Sequence, residues 1–199
     1  MPEAIEAKLA RAKVGVRAGR EPNEVVGRRT MGHDFRFPRD PDWEWLKASY
    51  PGNVLLHADC QFVEAVSNLI GRMAYLSTPY TKAVVNNQLE WDRGMSCDIE
   101  VRTARWVRAF AIDGITAASP ILLSCAACHA DIEDRLDPLD DVFWARWRRP
   151  LLSASGAVVI PAMDGWDVSQ GVWRDACWAL LHNVPVYLIA KGSEFGADL

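Results

Sequence analysis

No stretch of the 199-residue chain approaches the ~20 consecutive apolar residues that a membrane-crossing helix needs, so no membrane partner is expected. Positive charge is not in excess either: 22 Lys and Arg stand against 26 Asp and Glu, a formal net charge of −4. A protein that grips nucleic acid through its phosphates is normally basic. No nucleic-acid partner is therefore expected, although a single nucleotide remains open as a ligand. The opening residues Met1-Pro-Glu-Ala-Ile-Glu6 carry no apolar signal-peptide core, which gives the cytoplasm as the expected location. The cysteines, Cys60, Cys97, Cys125, Cys128 and Cys177, are odd in number and read as reduced thiols, not as a disulfide framework. Internal repeats and low-complexity segments are also missing.

What is present fits one globular domain with a proper core: half the residues are hydrophobic and about a quarter charged. Residues 1 to about 20 read as a solvent-facing helix, and Gly27 to Pro51 as an irregular arm. Asn53–His57 reads as a short strand and Phe62–Ile70 as a short helix. We take residues 1–70 as an N-terminal extension and 71–199 as the main domain. Within the latter, strands are expected at Met73–Ser77, Gly114–Ser119, Ala157–Ile160 and Val184–Ala190. Helices are expected at Asp98–Ile112, with Val101, Ala104, Val107 and Ala111 as its apolar face, widened by Phe110, at Pro138–Ala154 with Asp137 as cap, and at Val172–Leu181. Pro150 should end or kink the second of these. Ile121–Leu136 shows no clear pattern. Alternation of strands and helices at these lengths predicts an α/β fold, a single parallel sheet of flavodoxin-like, Rossmann-like type with helices on both faces in three layers.

Cys125-Ala-Ala-Cys128-His129 matches a c-type haem attachment motif letter for letter. That chemistry belongs to exported chains, however, and a lone C-x-x-C is a poor zinc site. No metal and no cofactor are expected. Nine tryptophans are more than usual; they serve either as core and interface residues or as an aromatic wall for a base to stack on.

The stretch from Pro161 to Asp175 is the part of the chain best suited to chemistry. It joins the strand Ala157–Ile160 to the helix beginning near Val172, beyond the carboxyl end of a strand, where open α/β sheets bind ligands. Ser169 and Gly171 sit where that helix starts, and its free N–H groups and dipole favour an anion. Asp175 follows about one turn later, in the field of the same positive end, which should keep it ionised. A capped helix with an acidic residue near its start explains the same spacing without any function. Tyr75, near the carboxyl end of its strand, reaches the same rim of the sheet if the two strands are neighbours, or else is a core tyrosine.

The strand Tyr75-Leu-Ser-Thr-Pro-Tyr80, the helix around Phe143-Trp144, the block Ser169-Gln-Gly-Val-Trp-Arg-Asp175 and the strand Pro185-Val-Tyr-Leu-Ile189 together resemble the nucleoside 2-deoxyribosyltransferase family. The likeness is greatest to its short-domain relatives and its 2'-deoxynucleoside 5'-monophosphate N-glycosidase branch, and it spans about Met73 to Ala190. It implies Asp175 as the carboxylate nucleophile and Tyr75 as the group that positions it. It places Ser169 and the Gly171 backbone at the 5'-phosphate, with Thr78 to Tyr80 as the opposite wall of that pocket. Two positions depart from the family. Asp175 is one methylene shorter than the family's glutamate, and Arg148 falls where an acid handles the leaving base. Asp164 and Asp167 are candidates to replace that acid, and Arg148 to bind an anion.

The function these residues imply is N-glycosidase or deoxyribosyltransferase-like chemistry on a deoxynucleoside 5'-monophosphate. The substrate is a small nucleotide, and the chain is expected to form a homodimer or larger homo-oligomer. The alternative is a nucleotide-binding protein of the same fold without catalysis, in which Arg148 pairs with phosphate or with Asp175. A third reading is an interaction module built on the tryptophan-rich second half.

Overall fold

The computed structural model describes residues 37–52 and 54–193; the helix expected over residues 1 to about 20 lies outside them. Among the described residues the chain runs α1 (Trp43–Ser49), β1 (Leu56–Cys60), α2 (Phe62–Leu69), β2 (Met73–Leu76), a 3-10 turn (Thr81–Ala83), α3 (Arg93–Ile112), β3 (Thr116–Ala118), α4 (Pro120–Ala130), α5 (Asp141–Ala154), β4 (Ala157–Ile160), α6 (Gln170–Leu181) and β5 (Val186–Ile189). The five strands form one parallel sheet in the order β1-β5-β4-β2-β3. Read from the far edge, β3-β2-β4-β5-β1 is the flavodoxin-like order, with the last place taken by a strand that comes first in the chain. The fold is thus the expected α/β arrangement. The sheet also reaches back across residue 70, because Leu56 and His57 lie in register with Val186 and Tyr187.

Two apolar layers flank the sheet, and strict alternation along the strands feeds both. Val158, Ile160, Val186 and Leu188 pack with α1, α5 and α6, together with Leu46, Leu152, Val172, Ala176 and Leu180. Ala157, Val159, Tyr187 and Ile189 face the other way, against Ala65 and Leu69 of α2 and Ile99, Trp106 and Phe110 of α3. A central sheet buried on both faces has little room for polar side chains, which is why β4 and β5 are buried along their whole length.

Capping fixes where the helices start. Asp92 accepts from the Met95 amide at 2.8 Å and so begins α3 five residues earlier than its apolar pattern suggests. The buried side of α3 is carried by Ser96, Ile99, Thr103, Trp106, Ala109 and Phe110; of the expected apolar face Phe110 is buried and Val107 packs against the core, whereas Val101 and Ala111 are exposed. The helix ends at Gly114, whose φ of 75° suits a residue without Cβ. Ser119 caps α4 and Pro120 occupies its first turn, so the expected unpatterned segment from Ile121 is helical up to Ala130. Its buried stripe includes Ser124, Cys125 and Cys128, which a hydrophobic count under-reads.

Asp140, not Asp137, caps α5 by accepting from the Val142 and Phe143 amides. Asp137 Oδ1 instead accepts from the Leu139 amide in the turn before it. Pro150 lies inside α5 and does not end it. Trp144 and Leu152 are buried on either side of the proline, and Leu152 packs into the core of the sheet, so tertiary packing outweighs the lost hydrogen bond. The arm expected over Gly27–Pro51 is helical at Trp43–Ser49. None of the helices in the described residues is long and apolar enough to cross a membrane.

Candidate active site

β2 and β4 are neighbours, with Tyr75 paired to Val158 and Leu76 to Val159. From β2 the chain leaves toward β3 at one edge, and from β4 toward β5 on the other side. The crevice above their carboxyl ends is the switch point where sheets of this order bind ligands. Tyr75 faces the α5 and α6 layer. Ser77, two residues on, faces the same way by strand alternation, with its amide donating to Val159 O at 2.9 Å.

α6 begins at Gln170 behind the Ser169 cap, whose hydroxyl accepts from the Val172 amide at 3.4 Å. Val172, Asp175, Ala176, Ala179 and Leu180 form the stripe that α6 buries against the sheet. A carboxylate on an apolar stripe is costly unless it is paired, and Asp175 is paired. Ser77 Oγ donates to Asp175 Oδ2 at 2.8 Å and the Tyr75 hydroxyl donates to the same oxygen at 3.2 Å. The guanidinium of Arg148, reaching in from α5, places Nε 3.5 Å from Oδ1. Burial raises the Asp175 pKa above the ordinary carboxylate value, while Arg148, Ser77, Tyr75 and Arg174 each pull it back. Burial, together with the charge of Asp175, also raises the Tyr75 phenol, so it remains a hydrogen-bond donor.

The Arg148–Asp175 contact is an ion pair at arm's length, beyond good hydrogen-bond distance. The terminal nitrogens of Arg148 extend past it. A Cβ built on Gly171 would lie 3.7 and 3.8 Å from Nη2 and Nη1, so the guanidinium rests over the first turn of α6. Gly171 and Asp175, four residues apart, share a face of the helix. Trp173 is turned away, edge-on to Trp43 at 5.1 Å. The segment before α1 crosses that other flank: Trp43 Nε1 donates to Asp167 O, Trp173 Nε1 to Pro38 O and Gln170 Nε2 to Asp40 Oδ1. Trp43 and Trp173 therefore lie on the flank of α6 away from Arg148.

Arg148 also floors a narrow cleft walled by Tyr80, Trp144 and Trp147. The Trp144 indole is anchored by donation to Asp137 O at 2.8 Å, and Trp147 stands edge-on to it at 5.3 Å. Trp43, Trp173 and Trp144 are buried, and Trp144 and Trp147 line the cleft. Tyr80 Oη accepts from Trp91 Nε1 and shares a hydrogen bond with Ser96 Oγ, each at 3.0 Å; burial pushes its phenol up to about 12. Thr78 is buried at the end of β2, and among the described residues its Oγ1 has no hydrogen-bond partner.

The structure therefore brings Tyr75, Asp175, Arg148, Gly171 and Ser169 together, with Thr78 and Tyr80 on the β2 side. It does not bring Asp164 and Asp167 to the same place. They line a separate depression with Lys47, Asp59 and Lys191, and Asp164 is exposed and paired with Arg102 at 3.2 Å. Sequence reasoning passed over three residues. Ser77 follows from the period-2 alternation that carries Tyr75. Arg174, paired with Asp141 at 3.2 Å, and Lys82, whose ammonium lies 3.5 Å from Val168 O, add positive charge near the start of α6 and had no distinguishing signal.

The haem-like motif is dispersed by its helix. Cys125 and Cys128 are buried, beyond the reach of a bulky group, while His129 turns toward α3.

A family model described as "Domain of unknown function (DUF1937)" matches residues 72–191. No curated protein and no solved structure matches the chain.

Proposed function

The chain belongs to the family of that domain of unknown function, DUF1937, and from its site geometry we propose that it cleaves the N-glycosidic bond of a deoxynucleoside 5'-monophosphate. One observation carries the reading. A buried carboxylate, Asp175, is held by two hydroxyls on a single oxygen, with its other oxygen directed at an arginine that also overlies the start of a helix. The likeness to nucleoside 2-deoxyribosyltransferases supports the same roles.

In this proposal the 5'-phosphate binds between the first turn of α6 and the Arg148 guanidinium, joining helix-terminal N–H groups to a charge-assisted fork. The base lies against Trp144 and Trp147. Tyr75 and Ser77 fix Oδ2, so Oδ1 attacks the anomeric carbon once phosphate has drawn Arg148 toward itself. The C–N bond breaks, the base leaves with its bonding electrons and takes a proton, and a glycosyl ester forms on Asp175. Water then opens the ester, returning the carboxylate and releasing deoxyribose 5-phosphate. Placement of the carboxylate from both strand and helix offsets the shorter aspartate side chain. A homodimeric, cytoplasmic enzyme is part of the same proposal.

A second reading, binding without cleavage, is favoured by the Arg148–Asp175 pair, which neutralises the nucleophile in the resting protein. Incubating the protein with each deoxynucleoside monophosphate and assaying free base by chromatography separates the two. Base release that disappears in Asp175→Ala supports the enzyme. Calorimetric binding without release supports the second reading, and neither binding nor release refutes both.

A further inference from the structure

Away from the cleft, α3 and α4 pack side by side and bring three metal-binding side chains to one point. Cys97 and Glu100, three residues apart, share a face of α3, and His129 comes from the last turn of α4. One ligand atom from each lies within 4.8 Å of the others. His129 Nδ1 is 2.9 Å from Glu100 Oε2 and 4.0 Å from Cys97 Sγ. The other ring nitrogen, Nε2, is 3.0 Å from Ser96 Oγ.

We propose that Cys97, Glu100 and His129 form a binding site for one divalent first-row transition ion, of which zinc suits the donors best. A thiolate, an imidazole and a carboxylate are a borderline-soft set suited to zinc, with the fourth tetrahedral position left to water. Zinc bond lengths put neighbouring ligand atoms about 3.3 Å apart for nitrogen and oxygen and about 3.6 Å for nitrogen and sulfur. The observed 2.9 and 4.0 Å need shifts of a few tenths of an ångström, and Cys97 Sγ and the Glu100 oxygen, which lie within 4.8 Å of each other, close by rotation of the two side chains. Cys97 is exposed and Glu100 partly so, which leaves both free to move.

The ring is oriented as a ligating histidine requires. With Nδ1 on the ion, Nε2–H donates to Ser96 Oγ, a buried group that itself hydrogen-bonds Tyr80 and Cys125. Such a partner on the second nitrogen fixes tautomer and ring plane. Arg93 steadies the same turn by donating to His129 O at 2.8 Å. Binding of the ion takes the place of the His129–Glu100 contact and of the proton on the Cys97 thiol. Only His129 of the C-x-x-C-H motif takes part, because Cys125 and Cys128 are buried in the core.

The test is titration of the full chain, first stripped with chelator, with Co(II) as a spectroscopic probe. The expected result is a near-ultraviolet thiolate-to-cobalt charge-transfer band that saturates at one ion per chain and is displaced by Zn(II). The band should vanish in Cys97→Ser, a surface change that leaves the fold intact, and should weaken at least ten-fold in affinity in Glu100→Gln. About one proton, that of the Cys97 thiol, should be released per ion in weakly buffered solution. A wild type without the band, or a band that survives Cys97→Ser, overturns the proposal.

Discussion

Arg148 on α5 and Asp175 on α6 form an ion pair across the helix layer, with Nε 3.5 Å from Oδ1 and side chains that are only 15% and 8% exposed. In this environment the cost of losing one partner is set by the charge left behind, not by the pair's own attraction. Arg148→Ala should therefore lower stability by about 3–5 kcal/mol, read from urea unfolding midpoints. Arg148→Met combined with Asp175→Asn, which removes both charges and keeps an acceptor for Ser77 and Tyr75, should recover most of that loss. A single-variant loss below ~1 kcal/mol, the size expected for solvent-exposed pairs, would mean that water screens the contact.

Ser77 and Tyr75 both donate to Asp175 Oδ2, but Ser77 does so at the shorter distance, 2.8 against 3.2 Å. Hydrogen bonds to a charged acceptor contribute about 1.5–3 kcal/mol. Ser77→Ala should accordingly destabilise the fold by that order and slow base release more than Tyr75→Phe. Equal or reversed effects on kcat, measured with the same monophosphate, would show that the phenol and not the hydroxyl aims the nucleophile.

The direction of the Asp175 shift fixes a pH dependence. Its native pKa is raised above the ordinary 3.8 by burial. Between the two values the native carboxyl keeps a proton that the unfolded chain has released, so unfolding loses protons in that window. The contribution is fully present below the unfolded value and is lost as pH rises through the native one. The stability of wild type relative to Asp175→Asn should thus fall with rising pH across that window. A difference independent of pH, followed by thermal unfolding, would show that the native carboxyl is not shifted. Base release should need the ionised form and should fall on acidification at a pH above the ordinary carboxylate range.

The alternating and helical periods made the sheet and most of α2, α3, α5 and α6 readable, because they bury continuous apolar stripes. Two stripes carried by small polar or sulfur residues were not read in the same way: Ser124, Cys125 and Cys128 on α4, and Ser96 and Thr103 on α3. Asp175 was legible as a carboxylate one turn into a helix, and its burial followed from its place on the Val172–Ala179 stripe. The neighbours of that carboxylate were less legible. Ser77 lay within the expected strand Met73–Ser77 and on the face of Tyr75, but a serine at a strand end carries no signal of its own, and Arg148 reaches Asp175 across 27 positions of chain that only the packing of α5 on α6 brings together. The strand expected at Asn53–His57 lies three residues later, at Leu56–Cys60, and its place at the edge beside β5 is a non-local pairing that leaves no local pattern.

Gly171 offers the clearest conflict between fold and function. It is the second residue of α6, and glycine in a helix costs about 0.5–1 kcal/mol relative to alanine. Its φ is not in the left-handed region, and an added Cβ would meet nothing closer than Arg148 Nη2 at 3.7 Å, an ordinary contact. Nothing in the fold therefore demands glycine here. Gly171→Ala should raise stability by up to about 1 kcal/mol, yet place a methyl group where a phosphate would sit between the α6 amides and the guanidinium. Monophosphate affinity should fall by about ten-fold or more, since an anion moved from the helix terminus loses both its N–H donors and the dipole. Paired measurement of the unfolding midpoint and the calorimetric Kd decides the matter: a more stable protein with unchanged affinity would remove the first turn of α6 from the binding site.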